Sequence, residues 1–251
     1  MLTGFKRIQT IENVAADAVP AAVVESLGGW RLRFNYGVKR RPNSVLANAD
    51  DGSLGLEAKL KRAEAFYAAH GLKARFQLSP ASQPEGLDAR LAARGYVRVP
   101  EAVCVQIRSL VHLPRPAGEV RLLKSPNTTF LDLYCETERL TGVQAETYQA
   151  MLGKLPGETV FALAHFGDRP AATGVGVAHG GLLGLFNIAT HPSARRRGLG
   201  SAVVAALLSW GQKRAATEAY LQVAEPNTGA QAVYAQLGFR TLYHYHYREA
   251  P

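Results

Sequence analysis

The chain has 251 residues, 47% hydrophobic and 20% charged, with a formal net charge of +9. That length accommodates one large domain or two small ones around a real core, and the composition excludes a disordered chain. No apolar run approaches the ~20 residues of a membrane-spanning helix, and the N-terminus lacks a signal-peptide core, so a cytoplasmic protein with no membrane partner is expected.

Residues 1–27 are Ala/Val-rich and weakly helical, with Pro20 an interruption or helix start. Trp30 to Tyr36 alternates, placing Leu32, Phe34 and Tyr36 on one face and Arg31, Arg33 and Asn35 on the other, a half-buried strand. The basic turn Lys39-Arg40-Arg41-Pro42 precedes a short strand, 44–47, and Asp50-Asp51-Gly52-Ser53 is a turn and expected helix N-cap. Leu56, Leu60, Ala63, Phe66 and Tyr67 share a helix face that stops at His70-Gly71. A strand over 74–78, a helix over 84–94 and a strand over 96–107 follow. Cys104 in that strand and Cys135 further on lie among apolar residues without metal-site spacing, as free thiols of a reducing compartment.

Residues 112–117, His-Leu-Pro-Arg-Pro-Ala, form the best linker, separating residues 1–111 from 118–251. Beyond it the patterns predict a strand over 120–123, two helices, and three closely spaced strands over 159–166, 171–178 and 182–190. A helix through Val203, Leu207 and Leu208, a strand over 219–223, a helix over 230–237 and a terminal strand over 239–247 complete the chain. Tyr243, Tyr245 and Tyr247 are expected as sheet residues with half-exposed hydroxyls. His244 and His246 share a face with no third ligand, so no metal is expected.

The stretch 188–202 carries the chemistry. A strand ending Ile188-Ala189-Thr190 runs through a Pro-containing turn into Arg195-Arg196-Arg197-Gly198-Leu199-Gly200-Ser201, which opens a helix. First-turn amides lack partners inside a helix, the macrodipole is positive there, and glycine admits close approach, so a pyrophosphate fits. Such a polyanion and an acidic substrate account for the basic surplus as well as nucleic acid would. Asp50-Asp51 opens the corresponding helix of the first half and would repel phosphate. Leu91-Ala-Ala-Arg-Gly95-Tyr96 and Tyr234-Ala-Gln-Leu-Gly238-Phe239 close helices in the same way, as a degenerate repeat would.

Together with Asn227 after a buried strand and Tyr234-x-x-x-Gly238-Phe239, this loop gives residues 118–248 a resemblance to the GCN5-related N-acetyltransferases (GNATs). Residues 1–111 look like a diverged copy, and Trp30-Arg-Leu-Arg and Arg41-Pro-Asn-Ser-Val45 resemble a subset of two-part bacterial acetyltransferases. The resemblance implies an α/β fold (α+β, mixed and mostly antiparallel sheets flanked by helices) in two GNAT-like halves. Residues 118–251 would be catalytic and residues 1–111 would wall the substrate cleft. It implies acetyl-CoA as cosubstrate, no metal, and a small-molecule amine acceptor that attacks the thioester directly in a ternary complex. A monomer or homodimer is expected.

By the same resemblance, Arg195 to Ser201 would hold the pyrophosphate, Ile188, Ala189 and Thr190 the pantetheine arm, and Asn227 would bond nearby. The Ile188 amide would stabilise the oxyanion and Tyr234 would protonate the leaving thiolate. Arg31, Arg33 and Arg41 are candidate substrate contacts. Gly184 and Phe186 occupy positions where relatives often carry a base and neither can take a proton, so the base is unassigned: a water chain, one of Glu146, His165 and His179, or an acceptor amine that arrives neutral are the alternatives. His191 before Pro192 is a turn residue. A non-catalytic acetyl-CoA sensor and a nucleic-acid binder are the rival functions.

Overall fold

The computed structural model describes residues 4–114, 118–155 and 158–251. Arg115-Pro116-Ala117 of the expected linker and Met1-Leu2-Thr3 lie outside the described residues. Contacts divide the chain into two units. One holds the described residues to Cys104 with Ala224–Pro226 and Tyr243–Pro251, and the other holds Val105–Val223 and Asn227–Leu242.

In the first unit, helix α1 (Gly4–Ala18) precedes strands β1 (Val23–Leu27) and β2 (Trp30–Phe34). The helical expectation to residue 27 fails at β1, where Pro20 ends the helical run and Gly28-Gly29, both at positive φ, turn a hairpin. Then come β3 (Val45–Leu46), α2 (Leu56–Ala69), β4 (Arg75–Leu78), α3 (Leu87–Ala93) and β5 (Val97–Arg98). Gly55, not an acidic residue, caps α2. Asp50 instead accepts at 2.6 Å from Nζ of Lys59, which is fully buried, also donates to the Gly28 carbonyl, and lies 5.2 Å from the Trp30 ring. The hydrogen bond from Lys59 holds the Asp50 carboxyl below its ordinary range.

The expected strand 96–107 is two strands, β5 and β6 (Val103–Ser109), because Pro100 between them has no amide to continue a ladder. The chain continues with β7 (Val120–Leu123), α4 (Thr128–Glu138), α5 (Val143–Leu152), β8 (Glu158–Phe166), β9 (Arg169–His179), β10 (Leu182–Thr190), α6 (Leu199–Gln212), β11 (Glu218–Ala224), α7 (Thr228–Gln236) and β12 (Arg240–Glu249). Residues 243–249 of β12 belong to the first unit, and within it β12 pairs antiparallel with β4 and β5.

Both units carry a parallel strand pair bridged by a helix. In the first, β3 pairs parallel to β4 across α2; in the second, β10 pairs parallel to β11 across α6. The remaining described pairs are antiparallel, so the fold is mixed α/β, with seven helices among the described residues. Helix α6 packs on β8, β9 and β10 through Val203, Leu207 and Leu208, all fully buried, and close approach is possible because β9 offers Gly174 and Gly176.

Strand β2 departs from simple alternation. Arg33 and Asn35 are buried, while Tyr36 is 62% exposed. Arg33 donates to the Ser44 carbonyl, Ser44 Oγ and Gln77 Oε1, at 3.1, 2.9 and 2.8 Å. Gln77 in turn donates to Glu12 at 2.5 Å, and Tyr243 donates to the same carboxylate at 2.6 Å. The tyrosines of β12 are correspondingly inside, Tyr243, Tyr245 and Tyr247 being buried rather than half-exposed, because their face meets this polar interior. Among the described residues no helix is long and apolar enough to cross a membrane, and no His/Cys/Asp/Glu cluster could hold a metal. Cys104 and Cys135 are free thiols, buried and half-buried, and desolvation raises both.

Candidate active site

Strand β10 is regular to Phe186 and then breaks register. Phe186 faces Val175 and Ala189 faces Thr173, so Asn187 and Ile188 together oppose Gly174 in a β-bulge. Asn187 sits at φ +53, where a short amide side chain is tolerated. Two side chains pin the bulge: Thr173 Oγ1 donates to the Asn187 carbonyl at 3.2 Å, and the Tyr134 hydroxyl donates to Asn187 Oδ1 at 3.1 Å. Parallel pairing with β11 covers Leu182 to Leu185 while β10 runs on to Thr190, so the two strands part where Ile188, Ala189 and Thr190 begin.

Gly174 makes this bulge possible. A Cβ there would stand 2.7 Å from Ile188 Cδ1 and 2.6 Å from Val203 Cγ1. Gly174→Ala is therefore expected to destabilise the fold by about 1–3 kcal/mol through overpacking, read as a lower melting temperature.

After a 3-10 turn at Pro192–Ala194, Arg195 returns its Nε toward the Thr190 carbonyl at 3.4 Å, and Arg196 and Gly198 take positive φ, +59 and +78. Gly198 is the N-cap of α6, and the bond from the Ala202 amide to its carbonyl closes the first turn. The amides of Leu199, Gly200 and Ser201 thus point out of the helix end without intrahelical acceptors. A cleft of about 690 Å³ runs over them. It is lined by Ile188, Ala189 and Thr190 from β10, by Arg195, Arg196 and Gly198 to Ser201 from the loop, and by Asn227 and Tyr234 from α7 and its cap. Arg197 points elsewhere, its guanidinium 4.2 Å from the Phe166 ring centroid.

Asn227 Oδ1 accepts from the Ala230 amide at 3.2 Å, which caps α7 and fixes the side chain at the cleft. Tyr234 is 8% exposed, packs on Phe239 with centroids 6.0 Å apart, and is pushed up to about 12 by desolvation. A phenol so placed keeps its proton through neutral pH.

The missing base has a steric cause at one position. A Cβ on Gly184 would lie 2.5 Å from the Phe186 ring and 2.6 Å from the Tyr220 hydroxyl, so no side chain fits there, and Phe186 itself is buried. Glu146, His165 and His179 are on α5, β8 and β9 and are not among the residues lining the cleft. Thr137 and Glu138, from the end of α4, are. Sequence patterning passed over both, since a polar last helical turn has the signature of a solvated end. The available signal was the four-residue spacing of Tyr134 and Glu138, which puts them on one helix face.

Arg31, Arg33 and Arg41 belong to the first unit. Arg31 pairs with Asp17 at 2.6 Å, Arg33 is in the buried network, and Arg41 is half-buried beside Pro42 and Asn43. Asn43 holds the basic turn, accepting from the Asn35 and Gly37 amides and donating to the Val38 and Lys39 carbonyls. A larger cleft of about 840 Å³ in the second unit, lined by Asp132, Glu136 and His191, lacks the exposed helix-end amides. His191 Nδ1 there lies 2.7 Å from Ser193 Oγ and accepts from its amide, a local turn closure.

Comparison with known proteins identifies the family of the chain. A family model described as "Probable histone acetyltransferase Rv0428c C-terminal" matches residues 6–248. The uncharacterized N-acetyltransferase YobR of Bacillus subtilis (strain 168) is 32% identical over 249 residues, 96% of this chain and 98% of that protein. A GCN5-related N-acetyltransferase from Kribbella flavida superposes with a TM-score of 0.73 at 16% identity, over 97% of this chain and 95% of that one. A tandem GNAT protein from the clavulanic acid biosynthesis pathway gives 0.66 at 15% identity, over 99% and 95%. The chain belongs to the Rv0428c C-terminal acetyltransferase family, within the GCN5-related N-acetyltransferase superfamily, and is an N-acetyltransferase of that type.

Proposed function

We propose that the protein moves an acetyl group from acetyl-CoA to the primary amine of a small molecule, by direct attack in a ternary complex. One observation carries this reading: a single cleft joins the amide-rich start of α6, the parted end of β10 and the Tyr234 hydroxyl. Acetyl-CoA supplies an activated thioester and a pyrophosphate. Leu199 to Ser201 amides and the Arg195 and Arg196 side chains suit the pyrophosphate, since open donors and positive charge meet there. Backbone of Ile188 to Thr190, unpaired by β11, can bond an extended pantetheine arm in strand fashion.

The amine nitrogen forms a bond to the carbonyl carbon and the carbon–sulfur bond breaks. The Ile188 amide donates to the oxygen on which charge develops, and the Tyr234 hydroxyl gives its proton to the departing sulfur. The family description speaks of a histone acceptor, so peptides enter the test beside small amines.

Thiol release is measured over amino acids, aminoglycosides, polyamines and lysine-rich peptides, with Tyr234→Phe alongside. The variant is expected to lose about 100-fold in kcat, the scale of one general acid. Burial raises this phenol, so the wild type is expected to keep its acid through neutral pH and lose it only as pH nears about 12. A Tyr234→Phe enzyme as fast as wild type at every pH removes that residue from the mechanism, and turnover of peptides alone replaces the small-molecule acceptor.

A further inference from the structure

The cleft has a cationic end and one carboxylate among its lining residues. Arg195 and Arg196 stand at the phosphate-binding end, and Glu138 comes from the last turn of α4. Helix α4 stops immediately after it, with Arg139 at φ +55 and its amide turned back to the Cys135 and Glu136 carbonyls. The exposed Glu138 side chain therefore projects from the end of the helix. A carboxylate in a helix's last turn gains nothing from the macrodipole.

Glu138 lines the same cleft as Ile188 and Tyr234. Tyr134, one helical turn earlier on the same face, bonds Asn187 in the bulge and stacks on Tyr148 with centroids 4.3 Å apart and planes 15° apart. The Glu138 charge is near enough to that pair to add to the upward push that burial gives the Tyr148 hydroxyl. The residue after Asn187 is Ile188, whose amide faces the developing oxyanion in the proposed reaction. Glu138 and Ile188 thus line one cleft, and Tyr134, buried behind it, ties α4 to the bulge that precedes Ile188.

We propose that Glu138 receives the ammonium group of the acceptor and takes its proton, so that the acceptor is a primary amine that arrives charged. The ammonium gives one proton to the carboxylate, and the freed lone pair forms the carbon–nitrogen bond. As the carbon–sulfur bond breaks, its electrons go to sulfur, which takes the Tyr234 proton. The resulting phenolate takes the surplus proton from the new amide nitrogen, and Glu138 releases its own proton to solvent.

The proposal rests on the acetyl-transfer reading, and the test separates the two. Using the amine that the wild type turns over fastest, kcat, KM and acetyl-CoA affinity are measured against pH for wild type, Glu138→Gln and Glu138→Asp. Glu138→Gln is expected to lose about 100-fold in kcat/KM at neutral pH. The deficit should close as pH approaches the amine's own pKa of ~10, where the amine arrives neutral. Acetyl-CoA affinity should not change, and Glu138→Asp should recover part of the rate. A Glu138→Gln enzyme equal to an active wild type, one impaired equally at every pH, or one with weakened acetyl-CoA binding overturns this assignment alone. A wild type inert toward every amine overturns the functional reading and the assignment with it.

Discussion

Arg195→Ala combined with Gly198→Glu is expected to abolish acetyl-CoA binding, measured by calorimetry, while leaving the chain folded. Arg195 loses a forked donor and Gly198 gains a carboxylate at the start of α6, a change of −2 in formal charge beside the open amides. Each charge-assisted hydrogen bond forgone is worth about 1.5–3 kcal/mol, and two of them lower affinity by about two to four decades. The effect on the fold is small because a Cβ at Gly198 meets nothing within 4 Å. The remaining strain is that of a non-glycine residue at φ +78, about 1–2 kcal/mol, and an acidic side chain at a helix N-terminus partly offsets it. Gly198→Ala carries the same strain without the charge and should weaken binding much less. A nucleic-acid binder behaves otherwise: its affinity falls steeply with salt and survives the double substitution. Normal acetyl-CoA binding by the double variant would show that the pyrophosphate lies elsewhere.

What sequence made legible was what local chemistry dictates. The start of α6 follows from Gly198, which takes the left-handed conformation that its cap position requires, and the start of α7 from Asn227, which caps it. Three closely spaced strands with turn residues between them are β8, β9 and β10, and glycine stops α7 at Gly238. The expected pyrophosphate and pantetheine positions, apart from Arg197, lie along one cleft.

The rest depended on partners distant in the chain. Asp50 has the pattern of a cap, yet it serves a lysine nine residues on. Strand β1 follows residues of helical composition and owes its state to pairing with β2. The polar face of β2 looks solvated until Glu12, Gln77 and Tyr243 converge on it from α1, β4 and β12. The spacing of Glu138 from Tyr134 stands out only once Tyr134 is seen to bond Asn187, in a bulge fifty residues later. Gly184 has one that only the fold explains, since Phe186 and Tyr220 fill the space its side chain would need.

Neighbouring arginines on β2 should differ most sharply in stability. Arg31→Ala is expected to cost less than ~1 kcal/mol, because its pair with Asp17 is substantially exposed, at 34% and 42%. Arg33→Met is expected to cost about 3–5 kcal/mol, since it strips a buried polar network of its cation. Ser44 and Gln77 lose their donor, and Glu12, 1% exposed, loses the positive charge that offsets part of its desolvation. Burial already holds the Glu12 carboxyl above its ordinary range. A carboxyl raised on folding binds its proton more tightly in the native state, so its contribution is favourable below the unfolded pKa and is lost as pH rises through the folded one. Removing Arg33 lifts that folded value further and widens the window. The penalty of Arg33→Met should therefore be smaller in melts at about pH 5 than at about pH 8, whereas that of Arg31→Ala should hardly change between them. Equal penalties for Arg33→Met at both values would mean that Glu12 is not electrostatically coupled to the guanidinium, and a penalty no larger than that of Arg31→Ala would mean the buried network contributes nothing to holding α1 and β12 on the sheet.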